Sequence, residues 1–134
     1  MSKVFLDANI WIPSIVTPDG FNRRLVVAAS KGEVIVSAEL WNEVAEKLAL
    51  KFRFSWESIS SGKQVMFAAS EMFIGQVEPF GASPDPDDAL LLAQALAAGC
   101  EYFVTNDGPL LKLVAIEGMK LISPKGFAAL LGVN

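Results

Sequence analysis

Short runs of β-branched and aromatic residues alternate along the chain with longer segments of helical periodicity. The short runs predict five strands, at 3–6, 33–37, 75–80, 101–105 and 119–123. The longer segments predict five helices, at 21–30, 38–52, 56–73, 86–99 and 124–132. Clusters of Pro and Gly predict loops at 18–20, 81–86 and 108–109. Strands that alternate with helices form right-handed βαβ units, so we predict an α/β fold around a parallel sheet of about five strands.

The composition is that of a globular chain with a sizeable core. Its 134 residues fit one domain spanning residues 1–134, and 52% of them are hydrophobic, which argues against disorder. No apolar run reaches the ~18 residues of a membrane span, and the start of the chain lacks a signal peptide's apolar region. The single cysteine, Cys100, cannot form an internal disulfide. We expect a cytoplasmic protein with no membrane partner and with Cys100 buried as a structural thiol.

The chain contains no histidine, and this excludes several kinds of active site. Catalytic triads with a histidine base are ruled out, as are zinc sites built from histidines or from several cysteines. Any bound metal must be held by oxygen atoms, which favours Mg²⁺ or Mn²⁺. The net charge of −4 argues against broad electrostatic binding of nucleic acid, although a cation held by acidic residues reverses the charge locally.

Three polar residues lie where predicted strands end. Asp7 follows the first strand, Ser37 ends the second, and Asp107 follows the strand at 101–105. The carboxyl ends of parallel strands share one edge of the sheet, where open α/β folds bind ligands. We therefore expect these residues to lie near one another. The two acids also have a simpler explanation, because the sequences around them suit turns.

A further candidate, Asp88, lies in the first turn of the fourth predicted helix. Asp85 is placed to cap that helix, with Pro86 at its first position, and Asp88 could simply favour the positive helix end. At about 100° per residue, however, Asp88 lies on the same face as Leu91 and Leu92. It therefore tops the buried stripe and points toward the sheet edge, where an uncompensated carboxylate would be costly.

Glu43 is the acid of the second predicted helix that is best placed to reach the same edge. It flanks the apolar stripe that runs through Trp41 and Val44, although a pair with Lys47 one turn later would explain it equally well. Several carboxylates in one cleft repel each other and raise each other's pKa values, a conflict that a divalent cation resolves. Such a cation supports phosphodiester hydrolysis without any histidine.

Four segments of the chain together resemble the PIN-domain ribonucleases. In the order that the family has them, they are FLDANI, VIVSAELWNEV, PDPDDALLLAQALAAG and YFVTNDGPLL. The resemblance is to stand-alone prokaryotic PIN proteins, including VapC-like toxins of toxin–antitoxin pairs. It implies a three-layer α/β/α sandwich with a central parallel sheet. It also implies cleavage of single-stranded RNA with Mg²⁺ or Mn²⁺ as the cofactor.

The resemblance further implies roles for individual residues. The catalytic, metal-binding acids correspond to four positions, Asp7, Glu43, Asp88 and Asp107. Supporting polar residues, which would orient ligands or water, correspond to Asn9, Ser37 and Thr105. Many relatives carry another acid or polar residue just after the last acid, where this chain has Gly108 and Pro109. A second metal is therefore expected to bind weakly or only with substrate.

The expected partners are the RNA substrate, a second copy of the chain and an antitoxin. The cations available to RNA on the first two predicted helices are Arg23, Arg24, Lys47, Lys51 and Arg53. Of the three tryptophans that could stack on bases, Trp11 and Trp41 fit the core better than Trp56 does. The resemblance implies a homodimer, with an antitoxin protein covering the acidic cleft.

Two other functions are compatible with the sequence. A non-catalytic PIN-fold interaction module would keep the fold without cleaving RNA, although the complete set of four acids argues against it. Asp7 could instead be the nucleophile of a Mg²⁺-dependent phosphohydrolase or a phospho-acceptor domain. Haloacid-dehalogenase-type phosphatases usually carry a second Asp two residues after the first, where this chain has Asn9. A stable, acid-labile phosphate on Asp7 would identify a phospho-acceptor.

Overall fold

The computed structural model describes residues 2–81 and 85–134. These segments contain six strands, β1 Lys3–Leu6, β2 Glu33–Val36, β3 Glu71–Met72, β4 Tyr102–Val104, β5 Ala115–Ile116 and β6 Met119–Ile122. They also contain seven helices, α1 Ala8–Val16, α2 Phe21–Ala29, α3 Ala38–Leu50, α4 Trp56–Ala68, α5 Pro86–Ala97, α6 Gly108–Leu111 and α7 Pro124–Leu131. None of the helices in these segments is long and apolar enough to cross a membrane.

The strands form one sheet in the order β3-β2-β1-β4-β6-β5. Every neighbouring pair is parallel except β5 and β6, which are antiparallel. Helices flank this mostly parallel sheet, so the predicted α/β/α architecture is confirmed. The predicted number of about five strands is one too low, because the short edge strand β5 was not anticipated.

The central strand β1 forms the middle of the core. It pairs with β2 on one side and with β4 on the other, so that Phe5 lies opposite both Ile35 and Phe103. The rings of Phe5 and Phe103 stack with 5.3 Å between their centroids. Val4, Phe5 and Leu6 are all buried, because helices cover both faces of the sheet. An uninterrupted apolar run is what such a strand requires.

Polar residues follow the strands because a helix begins directly after several of them. The carboxylate of Asp7 accepts a hydrogen bond from the Ala8 N–H at the start of α1. The hydroxyl of Ser37 accepts one from the Leu40 N–H in α3, and that of Ser123 caps α7 in the same way. These side chains satisfy backbone donors that a helix start leaves unpaired. They also give the carboxyl edge of the sheet its polar character.

The predicted strand at 75–80 is wrong. This segment pairs with no strand, and the third strand is instead β3, which lies inside the predicted helix at 56–73. That helix ends at Ala68, and β3 continues along β2 only as far as the hydrogen bond from the Phe73 N–H to the Val36 carbonyl. Gly75 and Pro79 interrupt the segment that follows, because glycine weakens a strand and proline has no N–H to donate to a neighbouring strand.

Two helices were not anticipated. The first, α1, is apolar on most of its surface and contains Pro13, so its sequence shows no helical alternation of apolar and polar residues. The second, α6, begins at Gly108 and Pro109, which were predicted as a loop. Proline suits the first turn of a helix, where its missing N–H has no partner to lose. The loop at 18–20 agrees with the structure, and residues 82–84 of the loop predicted at 81–86 lie outside the described residues.

Candidate functional site

Asp7 is a buried acid held in one position by its neighbours. It is 4% exposed, and its Oδ1 accepts a hydrogen bond of 2.7 Å from the Ala8 N–H. Its Oδ2 accepts hydrogen bonds from the Thr105 hydroxyl at 2.8 Å and from the Asn9 amide at 3.4 Å. Burial raises the pKa of Asp7, and the negative charge of Asp107 adds to that effect, whereas the hydrogen bonds from Thr105 and Ala8 lower it.

Thr105 joins the two acids that follow β1 and β4. Its hydroxyl donates to Asp7 and accepts hydrogen bonds from the Asp107 N–H at 3.0 Å and from the Asn9 amide at 3.3 Å. The residue is fully buried, so these contacts do not compete with water. Thr105 therefore fixes the loop after β4 relative to the carboxylate of Asp7.

Asn9 connects the same two segments from the first turn of α1. While its amide nitrogen donates to Asp7 and Thr105, its Oδ1 accepts a hydrogen bond of 3.2 Å from the Asn106 N–H. Asp107, the next residue, precedes α6, but its carboxylate makes no capping hydrogen bond to that helix. The turn before α6 therefore explains the backbone conformation of Asp107 but not its carboxylate, which is available to bind a ligand.

Asp88 is a third acid of the site with a strongly raised pKa. It is half-buried in the first turn of α5, and its pKa is raised to about 7. Burial is the largest cause, followed by the negative charges of Asp7, Asp85, Asp107 and Glu43. Asp85 is the residue that caps α5, through a hydrogen bond of 2.9 Å from the Asp87 N–H. Helix capping therefore does not explain why Asp88 is an acid.

Glu43 faces the same group of charges from α3. Burial raises its pKa, followed by the negative charge of Asp7, while Lys47 lowers it. Lys47 acts on the pKa of Asp7 in the same direction. The ion pair of Glu43 with Lys47 that the sequence suggested does not form, because their charged nitrogen and oxygen atoms are more than 4.0 Å apart. In the described part of the chain only Lys3 and Glu33 form an ion pair, at 3.6 Å. Glu43 is therefore not explained by a local pair.

Ser37 ends β2 at the same sheet edge but is engaged in its own helix. It is fully buried, and its hydroxyl accepts the hydrogen bond of 3.1 Å from the Leu40 N–H that caps α3. A groove of about 240 Å³ opens next to the acids, between α3 and α5, with Glu43 and Asp87 among the residues that line it. The site is thus an acidic depression that is open to solvent on one side.

The donor atoms of this site suit a hard divalent cation, although they do not enclose one in this conformation. Within residues 2–81 and 85–134, no group of three or more acidic side chains is arranged to hold a metal ion. The electrostatic effects described above nevertheless link all four acids, and every candidate ligand atom is an oxygen, as Mg²⁺ and Mn²⁺ prefer. Like charges are expected to stand apart when no cation lies between them.

A second polar contact beside the site was not anticipated from the sequence. Gln94, on α5, is 3% exposed, and its amide donates a hydrogen bond of 2.7 Å to Glu39 on α3. This contact joins the two helices that carry Glu43 and Asp88. The signal in the sequence was a single polar residue within the apolar run ALLLAQALA. Gln94 therefore fixes the separation of two helices that each contribute an acid.

The sheet and the acids at its carboxyl edge define an α/β protein with an acidic site. A family model described as the PIN domain matches residues 3–108 of the chain. This match covers most of the sequence, and the chain therefore belongs to the PIN domain family, whose members are nucleases. A comparison with curated proteins gave no match.

Solved structures with the same fold include several VapC proteins. VapBC from Salmonella typhimurium, bound to DNA, has a TM-score of 0.66 and 18% identity over 92% of this chain and 99% of that one. VapBC2 from Rickettsia felis, bound to a DNA fragment from its promoter, gives 0.64 and 16% over 90% and 98%. VapC20 from Mycobacterium tuberculosis, a toxin that cleaves the sarcin–ricin loop, gives 0.61 and 16% over 85% and 97%. At these identities the comparisons show a shared fold.

Proposed function

We propose that this protein is an endoribonuclease that cleaves single-stranded RNA with a divalent cation, Mg²⁺ or Mn²⁺. The proposed catalytic and metal-binding residues are Asp7, Glu43, Asp88 and Asp107. The whole of residues 1–134 would act as one nuclease domain. Cleavage by water would break the bond between phosphorus and the 3′ oxygen, leaving a 5′ phosphate and a 3′ hydroxyl.

The observation that carries this proposal is the electrostatic conflict around Asp88. Its pKa of about 7 results first from burial and then from the negative charges of Asp7, Asp85, Asp107 and Glu43, of which all but Asp85 come from other segments of the chain. A fold seldom keeps such a conflict unless the site has a use for it. A divalent cation would neutralise these charges and would stabilise the charge that develops on a phosphodiester during cleavage.

The residues of the chain would divide the work between fixed and adjustable ligands. Asp7 is fixed by its three hydrogen bonds and would supply oxygen atoms at a constant position. Asp88 and Glu43 accept no hydrogen bond among the described residues, so their side chains are free to turn toward a cation. Thr105 would keep Asp107 and Asp7 at a constant separation. Ser37, proposed earlier to orient ligands, would act mainly by holding the start of α3.

The test is cleavage of a mixed-sequence single-stranded RNA by the purified protein, with Mn²⁺, with Mg²⁺ and with EDTA. Asp88→Asn should abolish cleavage while the protein stays folded, with a thermal unfolding temperature no lower than that of the metal-free wild type. Asp87→Asn is the matched control, because it removes the same charge from the same turn of α5 at an exposed position. Cleavage that survives Asp88→Asn would contradict the proposed site, and no cleavage in any condition would contradict the proposed activity.

We also propose that the protein is the toxin of a toxin–antitoxin pair in the cytoplasm and that it forms a homodimer. Support comes from the fold shared with VapC of VapBC complexes and with a toxin that cleaves the sarcin–ricin loop. Induced expression should arrest growth, and Asp88→Asn should abolish the arrest. Light scattering of the purified protein should give twice the mass of the chain, 14.4 kDa. A monomer at micromolar concentration would contradict the dimer without affecting the nuclease.

The two alternatives considered from the sequence are separated by experiment. A phospho-acceptor would carry a stable, acid-labile phosphate on Asp7, and the nuclease would not. The interaction module remains the outcome indicated by a folded, partner-free protein that cleaves no RNA in the test described above.

A further inference from the structure

The connection between α3 and α4 concentrates positive charge and aromatic rings on an otherwise acidic chain. Residues 47–63 contain four of the eleven Lys and Arg residues and only one of the fifteen Asp and Glu residues. The rest of the chain therefore has seven cations against fourteen acids. Four residues at the centre of this segment, called here the basic–aromatic turn, are Lys51, Phe52, Arg53 and Trp56.

The side chains of this turn are accessible. Trp56 is 78% exposed at the first position of α4, which is unusual for the largest apolar side chain, and Phe52 is 38% exposed. The Lys51 Nζ lies 5.8 Å from the centre of the Phe52 ring. In the described segments neither Lys51 nor Arg53 forms an ion pair with an acid. Positive charge and a free indole face are thus presented together to solvent.

Arg53 occupies a backbone conformation that favours glycine. Its φ is 54°, in the left-handed region, where a side chain carries a steric cost. The hydrogen bond from the Phe54 N–H to the Leu48 carbonyl holds the chain in this conformation. The turn therefore has a residue with a long cationic side chain at the one position where glycine would fit the backbone better.

The basic–aromatic turn is continuous with the acidic site along α3. Glu43, Lys47 and Lys51 are spaced four residues apart and therefore lie along one side of the helix. Lys47 is near enough to the acids to lower the pKa values of both Asp7 and Glu43. At 1.5 Å per residue, the backbone of Lys51 lies about 12 Å along the helix from that of Glu43. A chain of phosphates leaving the acidic site would meet these cations in order.

We propose that the basic–aromatic turn is a binding site for single-stranded RNA, in which the substrate strand leaves the acidic site along Lys47 and Lys51 and stacks a base on Trp56. This inference rests on the proposed nuclease function, which supplies the RNA strand. It adds the path of that strand away from the acids, which the acids alone do not define. Proteins that bind single strands combine cations that follow the backbone with aromatic rings that stack on bases.

The chemistry of the turn favours RNA over an acidic protein partner. An acidic peptide would use the cations but would offer no flat face to the indole of Trp56. A hydrophobic protein partner would cover Trp56 together with Leu50, which is 75% exposed at the end of α3, and would leave the cations unpaired. Only a single-stranded nucleic acid uses both properties of the turn.

The first test is binding of a fluorescein-labelled single-stranded RNA to the full chain carrying Asp88→Asn, which prevents cleavage. Trp56→Ala should weaken binding about 5- to 150-fold, as expected for loss of one stacked base. Lys51→Ala and Arg53→Gly should each weaken binding and reduce the slope of log K against log salt by about 0.7, as expected for one lost phosphate contact. Arg53→Gly should also unfold at a slightly higher temperature, because it relieves the left-handed backbone.

Two matched controls accompany these variants. Lys31→Ala removes an exposed cation that precedes β2, at the opposite edge of the sheet, and should leave RNA affinity and its salt dependence unchanged. Leu50→Ala removes the exposed leucine beside the turn and should also have no effect. If Leu50→Ala loses as much RNA affinity as Trp56→Ala, the contact is with a general apolar surface and the stacking role of Trp56 is overturned.

Cleavage kinetics separate this inference from the proposed function. With otherwise wild-type protein, Trp56→Ala should raise KM for a long RNA without changing kcat, and it should not affect cleavage of a dinucleotide too short to reach the turn. If Trp56→Ala and Arg53→Gly cleave RNA with unchanged affinity and unchanged KM, the RNA path is refuted and the nuclease proposal stands. If the protein never cleaves RNA but these variants bind RNA more weakly than the wild type, the nuclease proposal is refuted and the RNA path stands.

Discussion

Asp88 should make the metal-free protein less stable as the pH rises. Its pKa is raised from 3.8 to about 7 in the folded protein, so between these values the folded state binds a proton that the unfolded state has lost. Stability falls with rising pH wherever the folded state binds more protons. The contribution of Asp88 is therefore favourable below pH 4 and is lost progressively up to about pH 7.

The size of this effect follows from the change in pKa and from the exposure of the side chain. A pKa change of about three units corresponds to about 4 kcal/mol of stability if solvent does not screen the interaction. Asp88 is only half-buried, and water and salt screen its repulsion from the other acids, so we expect a loss of about 1–2 kcal/mol. Asp88→Asn removes the charge and should abolish this part of the pH dependence. Asp7 and Glu43, whose pKa values are also raised, would continue to contribute in the same direction.

The assay is urea unfolding in EDTA at pH 5 and at pH 7.5, for the wild type, Asp88→Asn and the control Asp87→Asn. The wild type and the control should lose about 1 kcal/mol more than Asp88→Asn between the two pH values, which is the part of the effect that is lost above pH 5. Added Mg²⁺ should restore stability to the wild type at pH 7.5 and have less effect at pH 5, because it binds the ionised carboxylates.

Equal pH dependence in the wild type and in Asp88→Asn would refute this reasoning. It would mean that the carboxylate of Asp88 is solvated like that of an ordinary surface acid, and that the four acids do not form one electrostatic group. A larger pH effect in Asp88→Asn than in Asp87→Asn would show that the conflict had been assigned to the wrong residue of the same turn.

Three further predictions concern the support of the site and the core. Thr105→Val should lower the free energy of unfolding by about 2–4 kcal/mol, because it removes the hydroxyl bonded to the buried Asp7 carboxylate and leaves the Asp107 N–H without that acceptor. Thr105→Ser should retain most of the stability, and equal urea midpoints for the two variants would contradict this role. Leu92→Ala should cost about 2–5 kcal/mol in the same measurement, since Leu92 is fully buried, and a cost below 1 kcal/mol would mean that the core closes around the cavity. The Cys100 thiol, whose pKa burial raises to about 12, should not react with a disulfide reagent at pH 8 until urea unfolds the protein, and rapid reaction of the folded protein would show that it is accessible.

The long, periodic segments of the chain could be predicted from the sequence. The strands β1, β2, β4 and β6 and the helices α2, α3, α5 and α7 were identified because their apolar residues repeat with the period of the element. The PIN-type fold followed from their order. α1 could not be identified in this way, because a helix that is apolar on most sides has no period to detect.

The hairpin of β5 and β6 was missed for a different reason. β5 has two residues, and the turn after it consists of Glu117 and Gly118, both with positive φ. Such a turn joins strands well, but a Glu-Gly pair is a weaker sequence signal for it than Asn-Gly or Asp-Gly. Whether such a short edge strand forms depends on the strand that it pairs with, which the local sequence pattern does not show.

The sequence predicted the four acids near one edge of the sheet from two rules, that parallel strands end at the same edge and that helix periodicity sets which side chains face it. It could not show that Thr105 holds Asp7 and Asn9, since these contacts join residues almost 100 positions apart. It also could not show whether Asp88 caps its helix, because Asp85 and Asp88 are both acids in the same turn. Which of them caps depends on backbone geometry that only the structure provides.

The central position of β1 means that the site is completed late during synthesis. β1 is the first strand to be made, but its neighbour β4 is made about 100 residues later, since Phe5 pairs with Phe103. At ~5–20 residues per second, β1 waits about 5–20 s for that neighbour. Until then Asp7 lacks the hydroxyl that holds it, and neither Asp88 nor Asp107 is in place. A chain interrupted before β4 therefore lacks the complete group of acids, and any activity toward RNA requires translation to have passed β4 and Asp107.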